Sequence, residues 1–423
     1  MNFLQYAIWG AYLTSMGTYL AGVGLVENIG IFYAMQGIVS LFMPALIGII
    51  ADRWVPAQKM LGLCHLLAAG FMLAAGMYGI MNHGAVQFPI IFALYSLSVA
   101  FFMPTIALSN SVAYSVLGQA GLDTVKHFPP IRVFGTVGFI CAMLTTNFVS
   151  FGGASMQELP HQFIFSGVLG SLLGIYAFSL PAIMVNRSKE KKSLVEAIVL
   201  RAFALFKERT MAIFFIFSML LGVSLQITNG FANPFIHTFK AIPEYANTFG
   251  ANNANALISL SQVSETLCIL LIPFCLRKFG IKKVMLMAMV AWVLRFGLFG
   301  VGNPGPGVWA FILSMIVYGI AFDFFNISGS LFVDKETDIS IRSSAQGLFM
   351  MMTNGVGATI GTLGAQAVVN HFVYSQETPA GQVAGWSTAW YIFAGYALVV
   401  AIVFAIIFKY KHKPEEMEDV KAH

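Results

Sequence analysis

Of 423 residues, 58 % are apolar and only 10 % are Asp, Glu, Lys or Arg, and the mean hydropathy is +0.79; soluble domains carry about 25 % charged residues. That balance excludes a soluble enzyme, a nucleic-acid binder, a disordered chain and a disulfide scaffold. The formal net charge of +5 follows from where the basic residues sit and needs no acidic partner.

A membrane-crossing helix takes ~20 mostly apolar residues, and long apolar runs recur down the chain. They cover 3–24, 29–51, 60–81, 86–117, 129–150, 162–181, 211–236, 252–276, 284–302, 307–333, 344–371 and 386–408. The expected fold class is therefore an all-α membrane protein with twelve transmembrane helices. The first run starts at Phe3 with no basic stretch before it and no small-residue cleavage site, so it reads as a retained helix and not a signal peptide.

Numbered alternately, the even links and the tail hold every basic residue except Arg132, Lys240 and Arg295. By the positive-inside rule those links, and both termini, face the cytoplasm. Cys64, Cys141, Cys268 and Cys275 lie in or at the ends of apolar runs, without metal-ligand spacing to histidine, and read as small buried hydrophobes. No metal site or cofactor is expected.

The link from Ala182 to Thr210 is the longest in the interior and divides the chain into domains: a six-helix bundle over 1–181, a cytoplasmic linker over 182–210, a second six-helix bundle over 211–408 and a cytoplasmic tail over 409–423. Within the linker, Ser193 to Phe206 has the pattern of a surface-lying helix, or is a solvated tether. The halves echo one another. Gly48-Ile49-Ile50-Ala51-Asp52-Arg53 follows span two and Arg277-Lys278-Phe279-Gly280 follows span eight; Ile131-Arg132 opens span five and Ile341-Arg342 opens span eleven. Matching signals at matching places indicate a duplicated bundle.

Gly48 to Arg53 resembles the loop signature that joins helices two and three in the major facilitator superfamily, although Trp54-Val55-Pro56 replaces the usual basic continuation. In that family the loop latches the two halves on the inner side. Longer strings resemble the nucleoside:proton symporters of the bacterial nucleoside permease (NupG) type. They are Phe128-Pro129-Pro130-Ile131-Arg132 with Gly135-Thr136, Leu225-Gln226-Ile227-Thr228-Asn229, Ser261-Gln262-Val263-Ser264-Glu265-Thr266 and Tyr318-Gly319-Ile320-Ala321-Phe322-Asp323-Phe324-Phe325-Asn326. The likeness covers nearly the whole chain and implies the major facilitator fold.

A charge in hydrocarbon costs ~2.5–3.5 kcal/mol even on insertion scales, so one that is retained is functional or paired. Of 18 acidic residues, only Glu265 and Asp323 fall well inside spans. Counting from Arg277 and Asp334 at ~1.5 Å per residue puts them ~18 and ~16 Å from the interior boundary, at the depth where transporters place substrate and coupling ion. Burial favours the neutral acid unless a cation or strong donors oppose it. An acid balanced in that way takes a proton on one side and releases it on the other. For Glu265 a second reading stands beside this one: Arg295, on the adjoining span at much the same depth, is a ready structural partner.

Helix spacing groups the polar neighbours. Gln262 and Glu265 share a face, as do Gln226 and Asn229, beside Gly230 and Pro234, which are expected to break their helix. Tyr318 and Phe322 form an aromatic strip next to Asp323, and Arg132, Thr136 and Phe139 line one side of span five. Amides offer donor and acceptor together and aromatic faces suit a flat ring, which describes a neutral, partly planar solute: a nucleoside or equally a hexose. Bridging amides between helices and ordinary aromatic packing are the plain alternatives. The resemblance implies that Arg132, Thr136, Phe139, Gln226, Asn229, Gln262, Glu265, Tyr318 and Phe322 line a central nucleoside cavity, with Asp323 as a proton-coupling candidate beside Glu265. Arg132 sits only three residues into its span, ~5 Å deep, so it reaches inward along its stem or the span starts before residue 129.

The remaining histidines, His65 and His83 among them, show no ligand spacing. Gly355, Gly357, Gly361 and Gly364 fit close helix packing, and no Walker-type lysine follows them. The expectation is a monomeric, proton-coupled nucleoside importer working by alternating access in the lipid bilayer of a bacterial inner membrane. It is not an enzyme; its partners are nucleoside and protons, and no nucleic acid is among them. The alternative is a transporter of the same build for a sugar or another neutral solute, or an exporter.

Overall fold

The computed structural model describes residues 1–82, 85–183, 200–338 and 341–410, which fall into two compact units, one within Met1–Ile198 and one within Val199–Ala422. In the first unit, α1 (Asn2–Gly10) and α2 (Met16–Gly22) make up the first expected span, broken by turns at 11–15. Next come α3 (Ile29–Ser40), α4 (Met43–Arg53), α5 (Ala57–Met81), α6 (Phe88–Gln119), α7 (Thr124–Phe148) and α8 (His161–Ala177). Gly48 to Arg53 thus belongs to a helix, and the loop expected there begins at Trp54. The side chains of Asp52 and Arg53, on which a latch depends, lie outside the described residues, as does 193–199 of the supposed surface helix. Leu200–Lys207 forms a 3₁₀ helix, and Phe206 packs on Phe215 at 5.4 Å between ring centroids.

Span five ends in a small hairpin that the apolar pattern does not reveal. Strand β1 (Ser150–Phe151) pairs antiparallel with β2 (Ala154–Ser155) across Gly152 and Gly153. Their φ values of 60° and 88° are the left-handed pair that a two-residue primed turn requires, and glycine adopts them at little cost.

The second unit contains α9 (Arg209–Leu225), α10 (Ile227–Thr238), α11 (Ala254–Ile269), α12 (Ile272–Val301), α13 (Val308–Glu336), α14 (Arg342–Met350), α15 (Ala358–Val369) and α16 (Pro379–Ile407). Met351–Gly357 joins α14 to α15 as a π-helical stretch. Pro234 lies inside α10, and the irregularity in span seven comes earlier than expected, at Gln226. Among the described residues, eight helices are long and apolar enough to cross a membrane. Twelve crossings fit the chain once broken spans are joined, as α1 with α2 and α14 with α15. They also require α12 to be divided at Gly280, whose φ of 78° and ψ of 167° interrupt it.

This conformation is essentially restricted to glycine, and a Cβ there is strained by about 1–3 kcal/mol. Gly280→Ala is expected to lower the thermal stability of the detergent-purified protein by that order. A calorimetric or fluorescence melt checks it, and an unchanged melt rejects the assignment.

The expected glycine packing holds for part of its set. A Cβ on Gly357 would meet the Met219 carbonyl oxygen and one on Gly361 the Val223 carbonyl oxygen, so this stretch lies directly on α9. Gly364 faces open space and has no such role.

Candidate functional site

In the second unit, small residues bring α11 against α13. A Cβ on Gly319 would lie 2.6 Å from the Ser264 carbonyl oxygen and 2.7 Å from Cys268 Sγ. Ser264 Oγ donates to the Ile316 carbonyl and Ser261 Oγ to Met315 Sδ at 3.1 Å. That close approach packs α11, which carries Glu265, against α13, which carries Tyr318, Phe322 and Asp323. Asp323 is 5 % exposed, and Glu265 is half-buried. Tyr318 and Phe322 are stacked, 5.6 Å between centroids and 13° between planes, as their spacing of four predicts.

Arg295, 2 % exposed, arrives from α12 and lies over the Tyr318 ring of the stack. Its guanidinium carbon is 4.5 Å from the Tyr318 ring centroid and 5.3 Å from that of Phe299. Nη1 donates to the Ser314 carbonyl at 2.8 Å and to Ser261 Oγ at 3.4 Å, while Ser314 Oγ donates back to the Arg295 carbonyl at 3.0 Å. Arginine therefore forms part of the aromatic stack and clasps α12 to α13. Sequence spacing shows it only as a possible partner for Glu265; the cation–π contact depends on how two helices cross and has no one-dimensional signal.

Gln226 and Asn229 meet each other: Asn229 Nδ2 donates to Gln226 Oε1 at 2.7 Å. Gln226 occupies the junction between α9 and α10. Gln262 is half-buried, one turn before Glu265 on α11. A further amide pair escapes the sequence reading: Asn233 Nδ2 donates to Asn255 Oδ1 at 2.8 Å, both side chains fully buried, tying α10 to α11. Two Asn in apolar runs are the only trace of it in the chain.

In the first unit, glycines draw α1 onto α7. A Cβ on Gly138 would strike the Phe3 carbonyl, and one on Gly135 would lie 2.5 Å from the Tyr6 ring. Arg132 is thereby held with its guanidinium carbon 4.0 Å from the Tyr6 ring centroid. The helix α7 starts at Thr124, but its apolar crossing stretch runs Pro130–Phe148, so Arg132 lies near the start of the crossing, as the count from 129 places it. Phe139 is buried, edge-on to Trp9 at 6.5 Å, and Thr136 is half-buried on the same helix.

Long apolar helices with a buried acid and a stacked aromatic pair among them define a multi-pass membrane protein of the transporter class. The fold is that of the major facilitator transporters: the xylose transporter XylE of E. coli superposes with a TM-score of 0.68 at 12 % identity, over 99 % of this chain and 97 % of that one. The nucleoside H+ symporter family model matches residues 1–413, and the chain belongs to that family. It is 49 % identical to the xanthosine permease of Escherichia coli K12 (99 % of this chain, 96 % of that protein) and 45 % identical to its nucleoside permease NupG (97 % and 95 %). A crystal structure of the nucleoside transporter NupG superposes with a TM-score of 0.85 at 43 % identity, covering 97 % of this chain and 98 % of that one.

Proposed function

We propose that this protein imports nucleosides together with protons, exposing its cargo to the two sides of the membrane in turn. The observation that carries the reading is the cluster of Glu265, Arg295, Tyr318, Phe322 and Asp323. It offers a flat aromatic face for a base and, beside it, a buried acid able to gain and lose a proton. Gln226, Asn229 and Gln262 supply the amides for carbonyl, imino and hydroxyl groups, and Glu265 joins them as a hydrogen-bond acceptor. Arg132, Thr136 and Phe139 remain in the proposal as substrate-facing residues of the first unit. The family and the two permeases at 45–49 % identity favour a nucleoside over the hexose that the residue types alone also allow.

The domain boundaries proposed are 1–181, 182–210, 211–408 and 409–423. The basic residues on alternate links support placement in a bacterial inner membrane with both termini cytoplasmic, and the protein is proposed to act as a monomer.

Uptake of labelled uridine into proteoliposomes is expected to rise when the outside is made acid. Inosine, adenosine and xanthosine are expected to compete and glucose is not. Competition by glucose with none by nucleosides rejects the reading in favour of a sugar carrier.

A further inference from the structure

A second polar centre lies inside the first unit, lined by none of the proposed substrate or proton residues. Ile8, Tyr12, His65, Ala68, Ser98 and Ser166 are among the side chains that enclose a cavity of about 10 Å³, on a scale where one water molecule needs ~10–15 Å³. Tyr12 and His65 are fully buried, and Ser98 and Ser166 are 1 % exposed.

The hydrogen bonds around it fix which atoms can give and which can take. Thr105 Oγ1 spends its one hydrogen on the Phe102 carbonyl at 2.6 Å, so its 2.8 Å contact with Gln5 must be an N–H donated by Gln5 Nε2. Gln5 Oε1 is then the atom 2.7 Å from His65 Nε2, and that nitrogen carries the hydrogen. His65 Nδ1 is left as an acceptor, and it has no hydrogen-bond partner; neither has the Tyr12 hydroxyl. Ser98 Oγ and Ser166 Oγ donate to the carbonyls of Ala68 and Ile8 at 2.7 and 2.8 Å and keep their lone pairs. The enclosure therefore presents one donor, Tyr12 O–H, and three acceptors, one a ring nitrogen and two hydroxyl oxygens. Buried groups of this kind are costly to leave unpaired.

We infer that this cavity is a binding site for a single ordered water molecule, which accepts from Tyr12 and donates to His65 Nδ1 and to one of the two serines. Two or more polar partners and room for one molecule meet what a buried water requires. Its position gives it a role. Tyr12 lies in the turns that break the first span, while His65, Ser98 and Ser166 lie on α5, α6 and α8. The water ties the break to α5 and to one of α6 and α8, and it holds His65 in the Nε2–H tautomer.

The test combines a map resolving ordered solvent with nitrogen-15 NMR of histidine-labelled protein, using His65→Gln to assign the signal. Density for one water between Tyr12 Oη and His65 Nδ1 is expected, together with the Nε2–H tautomer. Tyr12→Phe, which keeps the ring and removes the donor, is expected to weaken or abolish that density and to lower the melting temperature. The double variant Ser98→Ala with Ser166→Ala, which removes both serine acceptors, serves as a second variant if Tyr12→Phe does not fold, with the same loss of occupancy and melting temperature expected. A dry cavity in the wild-type protein, or an Nδ1–H tautomer, overturns the inference.

Discussion

Asp323→Asn is expected to abolish proton-driven accumulation of uridine while leaving exchange across the membrane intact. Asparagine matches the shape of the acid and keeps a hydrogen-bonding side chain, so the helix contact between α11 and α13 and the Tyr318–Phe322 stack survive. What is lost is the capacity to change charge. If one proton moves with each nucleoside, a gradient of one pH unit sustains ~10-fold accumulation, since ~1.4 kcal/mol corresponds to a factor of ten. In proteoliposomes the variant's accumulation ratio is expected to fall to one, with labelled uridine still exchanging against unlabelled uridine inside. The reasoning is linkage: a proton that strengthens nucleoside binding is itself held more tightly by bound nucleoside, by the same factor. A variant that still concentrates uridine against its gradient removes Asp323 from the coupling role, and Glu265→Gln, measured alongside, then becomes the decisive variant.

The parts of this protein that can be read in one dimension depend on composition and local spacing. A run of ~20 apolar residues has one physical destination, so the helical membrane fold and the exclusion of soluble classes follow directly. Spacing of three and four fixes a shared helix face, which is why the Tyr318–Phe322 stack and the Gln226–Asn229 pair are found where expected. Boundaries set by polar side chains were less legible. The crossing that contains Arg132 starts at Pro130, one residue from the expected 129, but the helix itself begins earlier, at Thr124, over residues that read as a link. Loop-like signatures also misled: Gly48 to Arg53 continues α4, since nothing in that hexapeptide except its glycine opposes a helix. Contacts between distant residues left no pattern at all. The Arg295–Tyr318 stacking, the Asn233–Asn255 pair and the His65 cavity each require a particular helix crossing, which hydropathy does not encode.

The role of Glu265 turns on Arg295, and a double-mutant cycle separates the two readings. If Arg295 is the structural partner of Glu265, Arg295→Met leaves a half-buried carboxylate uncompensated, at a cost of about 3–5 kcal/mol, and adding Glu265→Gln restores much of that stability. If Glu265 serves the nucleoside, as proposed here, the two substitutions are nearly additive in stability, and Glu265→Gln alone weakens uridine binding. The second outcome is expected because the guanidinium already has other company: the Ser314 carbonyl, Ser261 Oγ and the Tyr318 face. Arg295→Lys refines the point. It keeps the charge but not the planar surface that lies on Tyr318, a contact worth ~0.5–2 kcal/mol. The melting temperature is therefore expected to fall by that order of stability, and uridine affinity, measured by calorimetric titration, to fall with it as the Tyr318 ring loses its support. Full rescue of binding by lysine would falsify the stacking role and reduce Arg295 to a point charge. Strong positive coupling in the cycle returns Glu265 to the structural pair.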